Sequence, residues 1–237
     1  MAKPIVHAHT ARTPLPQEAI RSAKAAAAGT KTDFRSLLAS SLSESRHNPH
    51  ARNTRSSAAG AYQFTERTWL DLMRRHGAAL GEGEAAARIT VENGKPVVAD
   101  PAARQAILDL RSDTRLAAKM AALYSDENRA ALGRSLGHRP SENEVRMAYL
   151  LGAHGATKLI KAAAETPDMP ADRLVPSAVR SNPGLFRSAD GTVKTASEAV
   201  ASLSRHFDRA LHQVKSAIGT QVSDAAPLGI PSEEEVS

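Results

Sequence analysis

The stretch DFRSLLASSLSES, residues 33–45, decides the fold class. Asp33 offers an N-cap acceptor at its start. Behind it Phe34, Leu37, Leu38, Ser41 and Leu42 recur at the i, i+3, i+4, i+7, i+8 spacing of an amphipathic helix. The predicted helix stops before Asn48-Pro49, because a residue preceding proline is pushed out of the helical region. Glu44 stands on the last turn, three residues after Ser41 and seven after Leu37. It therefore shares the face that carries core side chains.

Similar signals recur on both sides. Residues 1–16 are polar and Pro-rich and predict a disordered lead-in. A helix is expected over Gln17–Ala28, stopped by Gly29. Residues 46–61 are a Ser/Asn/Arg/Gly-rich loop, and a helix with Trp69, Leu70, Leu72 and Met73 follows Phe64 and closes at Gly77. Residues 81–99 read as a loop with one short helical piece at Glu84–Ile89. Asp100-Pro101 opens the next helix, which carries Ile107, Leu108 and Leu110. Another runs from Asp113 through Leu132, with Gly133 as its stop. Ser141-x-x-Glu144 and Thr195-x-x-Glu198 are capping boxes. The first opens a helix through Val145, Ala148 and Tyr149, the second a long one ending near Gly219. Residues 166–193, broken by proline, leave room for short turns only. The tail after Thr220 ends in Glu233–Glu235 and is expected to be mobile.

The composition agrees with this all-α reading of about eight helices. Across 237 residues, aromatics make up only 3% while apolar residues make up 41%, much of it alanine, so the β-branched and aromatic side chains that strands favour are scarce. The domain organisation expected is an N-terminal segment and short helix over 1–30, a helical domain over 31–219, and an acidic tail over 220–237. There is no cysteine, which excludes disulfides, thiolate metal sites and a cysteine nucleophile. No H-E-x-x-H or similar spacing supports a metal, and no cofactor motif stands out. No apolar run approaches the ~20 residues of a membrane span. The net charge of +6 favours an anionic partner. Its cations are scattered rather than striped among aromatics, which argues against nucleic acid.

Glu44 is the residue type and placement that acid catalysis needs. A carboxyl on a core-facing turn is partly desolvated, desolvation raises its pKa, and a carboxylic acid protonated near neutrality can donate a proton. A glutamate at a frayed helix end also simply faces solvent, and this helix alone favours that outcome. The surroundings add weight. Tyr62, Phe64 and Trp69, three of eight aromatics, fall within one eight-residue window. Rings beside an amide such as Gln63 are what a sugar cleft uses. Trp69 and Phe64 suit core anchors, whereas Tyr62 and Gln63 precede the helix and are the cleft candidates.

Glu44-Ser45-x-x-Asn48-Pro49-x-Ala51, then Ser57-x-Ala59-Gly60-Ala61-Tyr62-Gln63-Phe64, resembles the signature of the soluble-lytic-transglycosylase (SLT) domain, related to goose-type lysozyme. In that family a Glu-Ser pair ends a helix, an Asn-Pro-x-Ala turn follows, and a Gly-Leu-Met-Gln element lines the cleft, here matched by Gly60-Ala61-Tyr62-Gln63. A third element, Ala-Tyr-Asn-x-Gly, is matched by Ala148-Tyr149-Leu150-Leu151-Gly152, with Leu150 in place of the Asn. The three elements lie within residues 33–160. The resemblance implies a lysozyme-like helical fold and lytic cleavage of peptidoglycan. It makes Glu44 the sole catalytic acid/base, with Ser45, Gln63 and Tyr149 orienting the site or binding the sugar. Asn48 fits a loop-holding role through Asx-type bonds.

Other readings remain open on the sequence. A hydrolytic muramidase needs a positioned water and a second carboxylate, for which Glu66 and Asp71 are the nearest candidates. A basic helical module binding a nucleic acid or a secretion-system partner needs no Glu44 at all, and an inactive lysozyme-like scaffold would suit the Leu150 departure. The implied partner is the peptidoglycan glycan strand, in a periplasmic or cell-wall-associated setting. No signal peptide is recognisable in residues 1–30. The export route is left open between a dedicated one, such as a flagellar or secretion apparatus or a phage particle, and a true start lying upstream.

Overall fold

The computed structural model describes residues 14–223. Among these the order is α1 (Gln17–Ala27), α2 (Phe34–Ser45), α3 (Glu66–His76), α4 (Gly83–Ala87), β1 (Thr90–Glu92), β2 (Lys95–Val97), α5 (Pro101–Asp109), α6 (Thr114–Leu136), α7 (Glu142–Glu165), α8 (Ala171–Leu174), α9 (Pro176–Ser181), α10 (Pro183–Phe186) and α11 (Ala196–Ser223). The protein is all-α apart from one two-stranded ribbon. The three single-turn helices α8–α10 occupy the proline-broken stretch expected to hold only turns. The expected disordered ends lie largely outside the described residues. No helix among the described residues is long and apolar enough to cross a membrane.

Two apolar clusters share one frame. The first gathers α1, α2, α3, α5 and the front of α6 around Leu37, Leu38, Trp69, Leu72 and Met120. The second lies between α7, α8–α10 and the front of α11, around Met147, Leu159, Phe186, Leu203 and Phe207. Helix α11 serves both, since Ala210 and Val214 belong to the first cluster. Helix α1 is part of the first cluster through Ala19, Ala23 and Ala26, so the core extends across the boundary expected at residue 30.

Asp33 caps α2, its side chain accepting from the backbone N–H of Arg35. The one-sided apolar stripe expected for this helix is not what forms. Six consecutive residues, Ser36 to Ser41, are buried, because α1 and α11 pack on different sides. A helix buried all round is a central one. Its five serines are short enough to let neighbours close in, and Ser40 Oγ donates back to the Ser36 carbonyl at 2.9 Å.

Two local expectations change. Residues 90–97 form an antiparallel ribbon with Thr90 opposite Val97, where a plain loop was expected. Asn93 and Gly94, at φ 49° and 71°, make the turn, both left-handed as a two-residue hairpin requires. Helix α6 runs past Gly133 to Leu136. Gly133 packs as a helical residue near Pro140, and the next glycine, Gly137 at φ 77°, takes the left-handed terminating position. Both capping boxes form as expected.

Candidate active site

The site is built on the end of α2. Arg46 and His47 both take left-handed backbone (φ 55° and 64°). Their N–H groups donate to the Leu42 and Ser41 carbonyls, each at 3.0 Å, which closes the helix. The chain then turns through Asn48, whose side chain accepts from His50 N–H at 2.9 Å, the Asx-type role expected of it. It returns as a small loop in which Gly60 N–H donates to the Ala51 carbonyl and Ala59 N–H to the Phe64 carbonyl. Gly60 is required there: at φ 81°, an added Cβ would lie 2.2 Å from the Arg111 carbonyl oxygen.

Two side chains fix this loop to the helices. Ser45 Oγ donates to the Ala61 carbonyl at 2.8 Å and also lies 3.2 Å from the Ser41 carbonyl. Arg111, only 4% exposed, donates from Nε to Leu108 O (2.8 Å) and from Nη1 to Ser57 O (2.7 Å) and Phe64 O (3.1 Å). Beneath the loop, Phe64 is the hub of an aromatic cluster. Its ring centroid lies 5.5 Å from Trp69, 5.6 Å from Tyr149 and 6.3 Å from Tyr124. Trp69 is fully buried and its Nε1 donates to Ile107 O at 2.7 Å, the core anchor expected.

Glu44, Tyr62, Tyr149 and Arg146 come together where the Arg146 side chain reaches from α7 to α2. Glu44 as a residue is half-buried, yet its carboxyl is enclosed well enough that desolvation pushes its pKa up to about 7, with the Arg146 charge pulling the other way. Tyr149 Oη donates to the Tyr62 carbonyl at 3.1 Å. Burial, and then the nearby Glu44 carboxylate, hold its phenol well above the usual range, so it stays neutral. Burial does the same for Tyr62, which bonds Ser41. On its other side Ser41 Oγ meets His47 Nδ1. His47 is pushed down to about 4 by burial and is neutral, and its Nε2 is enclosed without a partner.

The structure thus brings Glu44, Tyr62 and Tyr149 together but gives three of the expected binding residues other work. Tyr62 is 3% exposed, so its ring is packed in the core and offers no face to a sugar. The Gln63 amide is turned inward by a left-handed backbone (φ 49°), and its Nε2 donates to Gly60 O (2.9 Å) and Ala51 O (3.3 Å). It holds its own loop in shape. Ser45 fastens that loop to α2. Tyr149, half-buried, keeps its place beside Glu44.

The carboxylates considered as a second catalytic group are engaged elsewhere. Glu66 accepts from Arg104 at 2.5 Å, and Asp71 pairs with Arg74 and Arg75. Among the described residues no group of three His, Asp or Glu is placed to hold a metal. A hollow of about 120 Å³ lies on the outer side of the loop, lined by Pro49, Ala51, Gly60 and Arg111 among others, and one of about 480 Å³ lies between α4 and α5, lined by Glu82, Glu84 and Asp100 among others. Glu44 lines neither.

Arg146 is the residue that sequence reasoning missed. It sits on α7 three positions before Tyr149, the spacing that puts two side chains on one helix face, and that spacing is the signal that points to it. Gly152 follows with non-helical backbone (φ 72°, ψ 156°), so α7 kinks just beyond the pair. No family model matches the chain.

Proposed function

We propose that the protein is a peptidoglycan lytic transglycosylase that cleaves the β-1,4 bond between N-acetylmuramic acid and N-acetylglucosamine, with Glu44 as its sole acid/base. The observation that carries the reading is one carboxyl, on the end of α2, raised to about 7 and flanked by the neutral Tyr149 phenol. An acid with a pKa near neutrality is half protonated where it works, which suits both donation and return of a proton. The resemblance of the Glu44-Ser45-x-x-Asn48-Pro49 and Gly60–Gln63 blocks to the SLT domain supplies the substrate class.

In this reading the Glu44 carboxylic acid gives its proton to the glycosidic oxygen as the C1–O bond breaks, assisted by the substrate's own 2-acetamido oxygen. The resulting carboxylate then takes the proton of the muramoyl 6-hydroxyl while O6 closes on C1. The product is a 1,6-anhydromuramoyl end, no water is consumed, and Glu44 returns to its acid form. One carboxyl suffices where ordinary glycosidases use two. That agrees with the engagement of Glu66 and Asp71 in ion pairs. The reading puts the working location at the cell wall.

Mass spectrometry of muropeptides released from purified peptidoglycan by the wild-type protein and by Glu44→Gln tests it. Products about 18 Da lighter than their hydrolysed counterparts, absent with the variant, are expected. Reducing ends would replace the transglycosylase with a muramidase. No product from folded wild-type protein would remove the catalytic reading and leave a binding module.

A further inference from the structure

We propose that Arg146 is the positioning residue of the Glu44 site: from α7 it ties the first, middle and last turns of α2 together and sets a fixed positive charge near the Glu44 carboxyl. This rests on the reading of Glu44 as the reacting acid. Arg146 Nη1 donates to the Ser36 carbonyl at 2.8 Å and to Ser40 Oγ, and Nη2 donates to Ser43 Oγ at 3.2 Å. Ser43 is the residue before Glu44 and Ser40 lies one turn earlier, so the fork meets one carbonyl early in α2 and two hydroxyls along the face that leads to the carboxyl. On the far side the guanidinium lies over the Phe207 ring, 4.8 Å from its centroid, which fixes its plane.

Structural necessity does not account for an arginine here. A purely structural clamp would leave no donor unpaired, since a buried orphan donor is costly. Arg146 Nε is buried with no partner. Among the described residues its charge has no ion-pair partner either; Ser36, Ser40 and Ser43 are neutral acceptors. Burial lowers its pKa, and of the groups whose charge offsets this Glu44 acts most strongly, ahead of Tyr149, Glu142 and Tyr62. The groups around the site are few. Tyr62 comes from the loop, Tyr149 and Arg146 from α7, Tyr124 from α6 against Tyr149, and His47 from the turn after α2; His206 on α11 also feels Arg146. The phenols are held neutral and burial holds the two histidines below their usual range, so the standing charges are Arg146 itself and, further along α7, Glu142, which is paired with Arg129.

Removing this charge from a fixed site has a sign that loosening the site does not share. Loss of a nearby cation makes the carboxylate harder to form, so the Glu44 midpoint rises. A clamp that merely relaxed would admit water and lower the midpoint. The experiment is a carbon-13 NMR titration of glutamate-labelled full-length protein, with the Glu44 resonance assigned by its absence in Glu44→Gln. Arg146→Gln is expected to raise the midpoint by about one pH unit. Arg146→Lys, which keeps a charge but not the fork, is expected to raise it by less. The His206 midpoint, read on a parallel histidine-labelled sample, should move upward in Arg146→Gln as a control, since it is relieved of the same charge. The alkaline limb of muropeptide release should move with the carboxyl.

A Glu44 midpoint that stays or falls in either variant overturns the proposal. If Arg146→Gln does not fold, Arg146→Lys decides by the same criterion. The titration needs no turnover, so it is separate from the muropeptide test. A protein that releases no muropeptides yet shows the upward shift has lost the functional reading and kept the coupling.

Discussion

Two arginines, the buried Arg111 and the half-buried Arg146, hold the two sides of the same site and differ in what their charge meets. Arg111 stands under the loop after α2 and donates to three main-chain carbonyls. The charges it feels come in opposing pairs, Glu66 and Asp109 against Arg52 and Arg104. Arg146 stands over the end of α2, uses serine oxygens and one carbonyl, leaves Nε unpaired, and faces Glu44. The first is a closed arrangement that shapes a loop. The second leaves one buried donor unpaired and feels a carboxyl, and breaks in local polar satisfaction of this kind tend to sit where a protein works.

The sharpest way to break this comparison is to remove both charges in turn and follow stability with pH. Arg111→Met strands the Ser57, Phe64 and Leu108 carbonyls, and is expected to cost about 3–5 kcal/mol. Because those acceptors are neutral, the loss should be the same at pH 5 and pH 8 by chemical denaturation. A loss that varied across this range would mean that Arg111 also answers to a titrating group, and the two arginines would be alike.

Arg146→Met is expected to cost less, about 2–3 kcal/mol at pH 5, since Ser40 Oγ already serves the Ser36 carbonyl. Its cost should grow by about 1 kcal/mol at pH 8, where Glu44 ionises without its counter-charge. The same denaturation series reads this directly. A flat cost would make Arg146 a second Arg111.

Much of the frame was legible in residues, and the reason is local. Asp33, Ser141 and Thr195 signal helix starts through bonds to N–H groups two or three positions away, and Trp69 signals core by size. Glu44 was legible because the apolar spacing of its own helix places it on the inner face. The ribbon at 90–97 was carried by Asn93-Gly94, a turn pair overlooked among the glycines of that stretch. The two arginines were not legible in this way. On sequence each reads as a solvated helix cation, and burial comes from partners 47 to 110 residues away in the chain. The inward turn of Tyr62 and Gln63 was hidden for a related reason, since φ at Gln63 and the packing of Tyr62 against Phe64 set it.

The smallest expected effect isolates the carboxyl itself. Glu44 is raised in the folded protein from the ordinary glutamate value of 4.5 to about 7, so between those values the folded state holds a proton that the unfolded chain releases. Unfolding then releases protons, and stability falls as pH rises from about 4.5 to about 7. Above that window the ionised carboxylate is a standing cost that Glu44→Gln removes. The full shift corresponds to roughly 3 kcal/mol. Because the residue is half-buried, screening by solvent brings the expected gain for Glu44→Gln at pH 8 to about 1–2 kcal/mol. At pH 4 both proteins carry a neutral group there and should melt together. His47 works from the other side. Lowered to about 4 in the folded state, it costs stability as pH falls from about 6.5 toward 4, equally in both proteins. The difference between wild type and Glu44→Gln therefore isolates the carboxyl. Equal stability of the two proteins at pH 8 would mean that water already reaches Glu44, and the contrast between the open clamp of Arg146 and the closed one of Arg111 would lose its physical basis.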